Sequence, residues 1–145
     1  PIVVDPKKRN FLAYRDVDLF KPNLKELKEG TKSEFDNKDL EAIKKSVAEL
    51  KSQQNHKGVM VTLSELGVFI NKEDRVHVPA HIRKIADVSG AGDTVISVAS
   101  LAIATKQKAS FVAELSNLAG GLVCESVGVV PIDKELLLKE AEQLL

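Results

Sequence analysis

A single cysteine, Cys124, rules out an internal disulfide framework. It lies in an apolar helical pattern where a small buried hydrophobe is expected, and such sparing use of thiols fits a reducing compartment. Neither sign of charge is in excess, because 21 lysines and arginines balance 21 acids. The basic residues are interleaved with acids except at Lys7-Lys8-Arg9, which reads as a solvated turn, so no footprint for nucleic acid is present. No apolar stretch approaches the length of a membrane span, and no leader precedes the strand-like Ile2-Val3-Val4. These absences predict a cytoplasmic chain without membrane contact, and the abrupt opening on Pro1 fits either a piece of a longer protein or removal of an initiator methionine. His56, His77 and His81 share no ligand-like spacing with a second histidine or cysteine, so surface or satisfied structural histidines are expected rather than a transition-metal site.

What is present fits one globular domain over residues 1–145, with 43% hydrophobic residues to build a core. Ile2 to Asp5, Val17 to Lys21 and Val59 to Leu63 are brief apolar runs closed by turn or polar residues, and each is predicted as a buried strand. From Asn37 to about Gln54, Leu40, Ile43, Val47 and Leu50 recur at helical spacing, with Asp36 as the expected N-cap. Strand, helix and strand in that order predict a parallel α/β unit. Gly67 to Ile70 and Arg75 to Val78 flank Asn71-Lys72-Glu73-Asp74 as an edge hairpin, which makes the sheet mixed. Helices are predicted over Asp93 to Thr105, over Ser110 to Ser126 with Ser110 as cap, and from Asp133 to the end with Asp133 as cap. Gly120-Gly121, inside the middle helix, implies close packing or close ligand approach.

Asp87-Val88-Ser89-Gly90-Ala91-Gly92-Asp93-Thr94 carries the chemistry. Two glycines and an acid open a helix of small apolar residues, so the free backbone N–H groups of Ala91, Gly92, Asp93 and Thr94 are expected to point outward at its N-terminus as an anion site. Asp93 is either an acid favoured by the helix dipole or a base beside a phosphoryl group in transit, and helix geometry by itself allows both. No P-loop pattern occurs, and Val95 stands where a dinucleotide fingerprint needs its third glycine. Asn23 at the start of Leu24 to Leu27, with Glu26 three residues on, forms a capping-box pattern whose carboxylate is also suited to a hydrated cation. Asn117 within an apolar helix needs a polar partner, and a ligand edge would serve.

Gly-Ala-Gly-Asp at a helix start resembles the second signature of the PfkB, or ribokinase-like, family of sugar kinases. Other segments follow in the family's order across essentially the whole chain. Lys21-Pro22-Asn23-Leu24-Lys25-Glu26 resembles the Asn-x-x-Glu element, and Thr62-Leu63-Ser64-Glu65-Leu66-Gly67 the nucleotide-binding Thr-x-Gly-x-x-Gly, with Ser64 in place of glycine. Ser116-Asn117-Leu118-Ala119-Gly120 resembles the helix lining the adenine site. Asp5-Pro6-Lys7, Phe11, Tyr14, Lys-Pro-Asn and Gly92-Asp93-Thr94-Val95-Ile96 together look most like the heptose 7-phosphate kinase branch, although Glu125-Ser126 stands where a basic residue is common.

The resemblance implies a three-layer ribokinase-like α/β fold, present as its C-terminal half, with a mostly parallel sheet and an edge hairpin. It implies ATP as phosphoryl donor and Mg2+ as the accompanying ion. Asp93 would take the proton of the attacking sugar hydroxyl while Gly90, Ala91 and Gly92 stabilise the transferring phosphoryl group. Thr62, Ser64 and Gly67 would line the nucleotide phosphates and ribose, Asn117 and Gly120 the adenine, and Asn23 and Glu26 the waters of the magnesium ion. The sugar-binding acid, a glycine pair and a lid belong to the family's N-terminal half, which nothing here resembles. Partners expected on that basis are ATP or ADP, a phosphorylated sugar and the missing half-domain, with a homodimer as a further expectation. This chain alone is then expected to be inactive. A different class, a noncatalytic nucleotide-sensing or assembly module that kept the anion loop, predicts nucleotide binding without sugar-dependent ATP consumption. A kinase of another sugar is the remaining alternative.

Overall fold

The computed structural model describes every residue, Pro1–Leu145. Five strands lie in sequence order: β1 (Val3–Val4), β2 (Leu19–Phe20), β3 (Val59–Thr62), β4 (Val68–Asn71) and β5 (Arg75–Val78). The first three are parallel, with Val3 beside Leu19 and Phe20 beside Val59, and the last two form the antiparallel hairpin, with Val68 beside Val78. The mixed sheet and its edge hairpin match the sequence reading, whereas β1 and β2 are only two residues long.

Alternation along the strands builds the layers. Phe20, Val59, Val61 and Phe69 point to one face and pack with Leu27, Ile43, Val47 and Leu50 from α1 (Leu24–Thr31) and α2 (Leu40–Gln53). Leu19, Met60, Val68 and Ile70 point to the other face and pack with Val95, Ala99, Ala102, Val112 and Ala113 from α3 (Ala91–Ala104) and α4 (Ala109–Val123). Because both faces of the sheet are covered, β3 and β4 each open with three successive apolar residues rather than alternating, and only their last residues, Thr62 and Asn71, are polar. The last helix, α5 (Lys134–Leu144), buries no residue and starts at the expected cap, with Asp133 accepting from the Leu136 amide at 3.0 Å.

Several boundaries differ from expectation for identifiable reasons. Asp39, not Asp36, caps α2 by accepting from Ala42 N–H, while the Asp36 carboxylate turns to Lys38 N–H at 2.8 Å and closes the preceding turn. Ser110 does not cap α4. Helix α4 begins one residue earlier, and Glu73 from the hairpin turn accepts from its Ala109 amide at 2.6 Å, a tertiary cap that no local pattern announces. Cys124, buried as expected, ends α4 two residues before Ser126. The basic turn at Lys7 is exposed and leads into a 3-10 segment, Lys8–Ala13.

His56 departs from the expectation of a surface or satisfied histidine. It is 4% exposed, its ring stacks on Phe20 with centroids 4.5 Å apart, and neither ring nitrogen has a partner. Burial lowers its pKa from the ordinary 6.5, against the pull of Asp16 and together with the repulsion of Arg15. Its neutral form is therefore favoured by folding, so the stability it contributes is complete above pH 6.5 and is lost as pH falls toward the depressed folded value. Denaturant midpoints measured between pH 7.5 and 5 are expected to fall in the wild type. In His56→Phe, which keeps the stack and removes the orphaned nitrogens, that dependence should vanish and stability at pH 7 should rise by about 1 kcal/mol; an unchanged pH profile would refute the assignment.

Candidate functional site

The carboxyl ends of the parallel strands, the N-terminus of α3 and the turn between β3 and β4 converge on one edge of the sheet, where ligands of open α/β sheets bind. Gly90 occupies the N-cap of α3 with φ 78°, a left-handed conformation that favours glycine, and its Cα faces Val129 so closely that a Cβ would lie 2.9 Å from Cγ1. Just before it, the Asp87 carboxylate accepts from Ser89 N–H at 2.9 Å and Ser89 Oγ at 2.7 Å, and with its other oxygen from Gly128 N–H at 2.9 Å. These bonds hold the Asp87 pKa below the usual carboxylate range.

Of the amides expected to face an anion, those of Gly90, Gly92 and Asp93 have no acceptor in the chain, whereas the Thr94 amide donates to Gly90 O at 3.0 Å as the first helical bond of α3 and is not free. The Ala91 amide is turned back to Val88 O at 3.3 Å, which closes the loop and removes it from the free set. The Asp93 carboxylate is exposed and engages in no hydrogen bond or ion pair, while its carbonyl accepts from Ser97 Oγ. Three unpartnered donors and the helix dipole therefore surround one free carboxylate.

Lys21 completes this corner. Its side chain is 3% exposed, its Nζ is 3.5 Å from Asp5 Oδ1, and it would lie 3.7 Å from a Cβ on Gly92. An ammonium buried this deeply with one carboxylate near it is expensive to maintain, and its place at the α3 terminus adds a full positive charge to the partial charges of the amides. The sequence motifs assign Lys21 no role of its own. The signal was the position itself, a lysine directly after Leu19-Phe20 in a strand whose other residues are fully buried.

Asn23 and Glu26 form a complete capping box, with Glu26 N–H donating to Asn23 Oδ1 at 2.7 Å and Asn23 N–H to Glu26 Oε1 at 2.9 Å. The second Glu26 oxygen lies 3.8 Å from Lys7 Nζ, which is itself 4.0 Å from Asp5. Thr62 lies beside Asn23 in an isolated parallel bridge. Asn23, Thr62 and Ser64 line a cleft of about 720 Å3 between α1 and the turn, together with Lys25 and Lys28. Ser64 holds φ 52°, the left-handed conformation that a glycine would adopt without strain, and Gly67 closes the turn by donating to Ser64 O.

Asn117 and Gly120 stand apart from that cleft. The partner of the Asn117 amide is Pro79 O, at 2.9 Å, so its Nδ2 fastens α4 to the loop after β5. Gly120 lets α4 approach α3, since a Cβ would lie 2.7 Å from Val95 Cγ2 and 4.0 Å from Ala91 O. The glycine pair is thus accounted for by close packing, and Gly120 supports the base of the anion loop from behind.

A family model for pfkB family carbohydrate kinases matches residues 1–135. The chain belongs to this family. Among relatives of this pfkB chain, the bifunctional protein HldE of Syntrophotalea carbinolica is 34% identical over 139 residues, covering 94% of the chain and 28% of that protein. The HldE of Campylobacter jejuni subsp. jejuni serotype O:2 is 33% identical, covering 100% of the chain and 33% of that protein. The chain therefore spans a third or less of these relatives' length. The fold is ribokinase-like: phosphofructokinase-2 from Escherichia coli, in complex with substrates and products, superposes with a TM-score of 0.87 at 23% identity over 98% of the chain and 47% of that structure. Arabidopsis thaliana ribokinase complexed with ribose and ATP gives 0.80 at 20% identity over 96% of the chain and 46% of that structure.

Gly90→Ala tests the geometry of the anion loop. The left-handed backbone costs a non-glycine residue about 1–2 kcal/mol, and Val129 must also give way. The thermal midpoint is expected to drop by roughly 2–8 °C, and a midpoint within 1 °C of wild type would show that the loop adopts another conformation.

Proposed function

We propose that this chain is the nucleotide-binding and phosphoryl-transfer half of an ATP-dependent sugar kinase whose acceptor is a heptose 7-phosphate, phosphorylated on its anomeric hydroxyl. The observation that carries the reading is the set of unpartnered Gly90, Gly92 and Asp93 amides around a free Asp93 carboxylate, with buried Lys21 beside them. Membership in the carbohydrate kinase family supports the reaction class, and the likeness to HldE proteins supports the heptose branch.

In this reading the phosphates of ATP lie at the α3 terminus, where the amides and Lys21 offset charge developing on the transferring group. Asp93 accepts the proton of the sugar hydroxyl as the new oxygen–phosphorus bond forms and that hydroxyl becomes acidic. Thr62, Ser64 and Gly67 would hold ribose and phosphates, and Asn117 would reach the adenine through its free carbonyl oxygen, while Gly120 would act there only by bringing α4 against α3. The donor set fits a magnesium ion carried by the nucleotide rather than a resident one, since nowhere do three His, Cys, Asp or Glu side chains converge. Asn23 and Glu26 would hold that ion through its waters, and the ion would spread the charge of the phosphates. The acceptor sugar would be chosen by a complementary half-domain continuing the sheet beyond β1, whose outer edge pairs with nothing here. No helix is long and apolar enough to cross a membrane.

Two measurements test the proposal. MgATP or MgADP at 100 times its Kd is expected to stabilise the chain by about 2.7 kcal/mol. In the full-length kinase, Asp93→Asn should lower kcat about 10²–10⁴-fold while leaving the nucleotide Kd within threefold of wild type. Undiminished turnover would remove Asp93 as the base. Nucleotide binding without ATP consumption, with heptose 7-phosphate and common hexose phosphates all supplied to the full-length chain, would instead assign it as a noncatalytic nucleotide-sensing module.

A further inference from the structure

The segment from Pro79 to Gly90, which carries the chain from β5 to the anion loop, crosses α4 and the turn after it as a strap. Its apolar side chains do not anchor it: Ile82 is 105% exposed, Ile85 55% and Val88 70%. Polar contacts hold it instead. Asn117 Nδ2 donates to Pro79 O at the start, and Ala86 and Asp87 N–H both donate to Cys124 O, at 2.8 and 3.2 Å, near the end. Between them sits Arg83, whose side chain is only 10% exposed.

Arg83 Nη1 donates to Glu125 at 3.0 Å and Nη2 to Glu140 at 2.7 Å, so one guanidinium joins the strap to the end of α4 and to α5. Its stem crosses Gly121 so closely that a Cβ there would lie 3.3 Å from Cδ and Nε, and Nε itself is buried without a partner. The chain thus accepts an unsatisfied buried donor and a glycine in mid-helix in order to keep this arginine in place. Both are costs that a mere surface ion pair would not require.

We infer that Arg83 is a positioning residue: by clamping the strap to Glu125 and Glu140 it fixes the turn 124–129 against Asp87 and Gly90, and so sets the aim of the free amides at the α3 N-terminus. The clamp acts through Asp87, which binds Gly128 N–H, and through Val129, which packs on Gly90. Its consequence for phosphate binding rests on the kinase reading, and the clamp itself does not.

Arg83→Met keeps the aliphatic stem and removes both ion pairs. By hydrogen exchange on the isotopically labelled chain, the amides of Ala86, Asp87 and Gly128 are expected to exchange at least tenfold faster, while those of Phe69 and Ile70 in the hairpin stay within twofold. The Kd for MgADP should rise about tenfold, and Arg83→Lys, able to reach one carboxylate, should recover part of both effects. Ile43→Val, which lowers global stability from the opposite face of the sheet, should reproduce neither. Unchanged exchange at Ala86, Asp87 and Gly128, or an equal acceleration in Ile43→Val, would overturn the inference. Should Arg83→Met not fold, the Glu125→Gln, Glu140→Gln double variant carries the same expectation and the same refutation. If the exchange result holds but the wild type binds no MgADP, the kinase reading falls and the clamp stands.

Discussion

The structure is organised around a helix whose first turn leaves its donors unused. An α-helix must find partners for its first N–H groups or leave them to solvent or ligand, and α3 has no capping side chain at Gly90. Where α1, α2 and α5 begin on Asn23, Asp39 and Asp133, each accepting a bond from its own helix, α3 begins on a glycine. The acid that would have been its natural cap, Asp87, is set three residues too early and spends its oxygens on Ser89 and Gly128. Helix α4 also lacks a local cap but is met by Glu73, so α3 is the helix whose start no side chain caps, and the surrounding contacts then have to hold an unsatisfied loop still.

Those contacts come from elements distant in sequence. Gly120 lets α4 come against Ala91, Val129 packs on Gly90, and Lys21 reaches the terminus from the end of β2. Lys21 is the most telling of them. The Lys21 side chain is 3% exposed with its Nζ 3.5 Å from one carboxylate, and a further negative charge at this corner would help to offset the cost of its burial. The orphaned amides and the Lys21 ammonium place partial and full positive charge at the same corner.

Much of this was legible in the residues. The apolar spacing of Ile43, Val47 and Leu50 set α2, the polar turn Asn71 to Asp74 between Gly67–Ile70 and Arg75–Val78 set the hairpin, and the Gly-Ala-Gly-Asp sequence located the free helix terminus. The capping box of Asn23 and Glu26 could be read because all its partners lie within four residues. What escaped prediction depends on tertiary contact: the α4 cap supplied by Glu73 from 36 residues away, the Pro79 partner of Asn117, and the burial of Lys21 and His56. Asp36 and Asp39 could each have capped α2, and only the packing of Leu40 and Ile43 on the sheet decides between them. The roles of the two adjacent glycines were also hidden, since position in a helix does not reveal which neighbour presses on which face.

In the proposed kinase reading, the Asn23–Glu26 box would serve two jobs that compete for the same lone pairs. One Glu26 oxygen is committed to the backbone and the other sits near Lys7, so a cation drawing harder on this carboxylate would do so at the expense of the first turn of α1. Weak, water-buffered attraction leaves the helix intact, while tight direct ligation would begin to unwind it. The cap would thereby set a ceiling on how firmly an ion could be kept there, in keeping with the proposed ion that travels with the nucleotide.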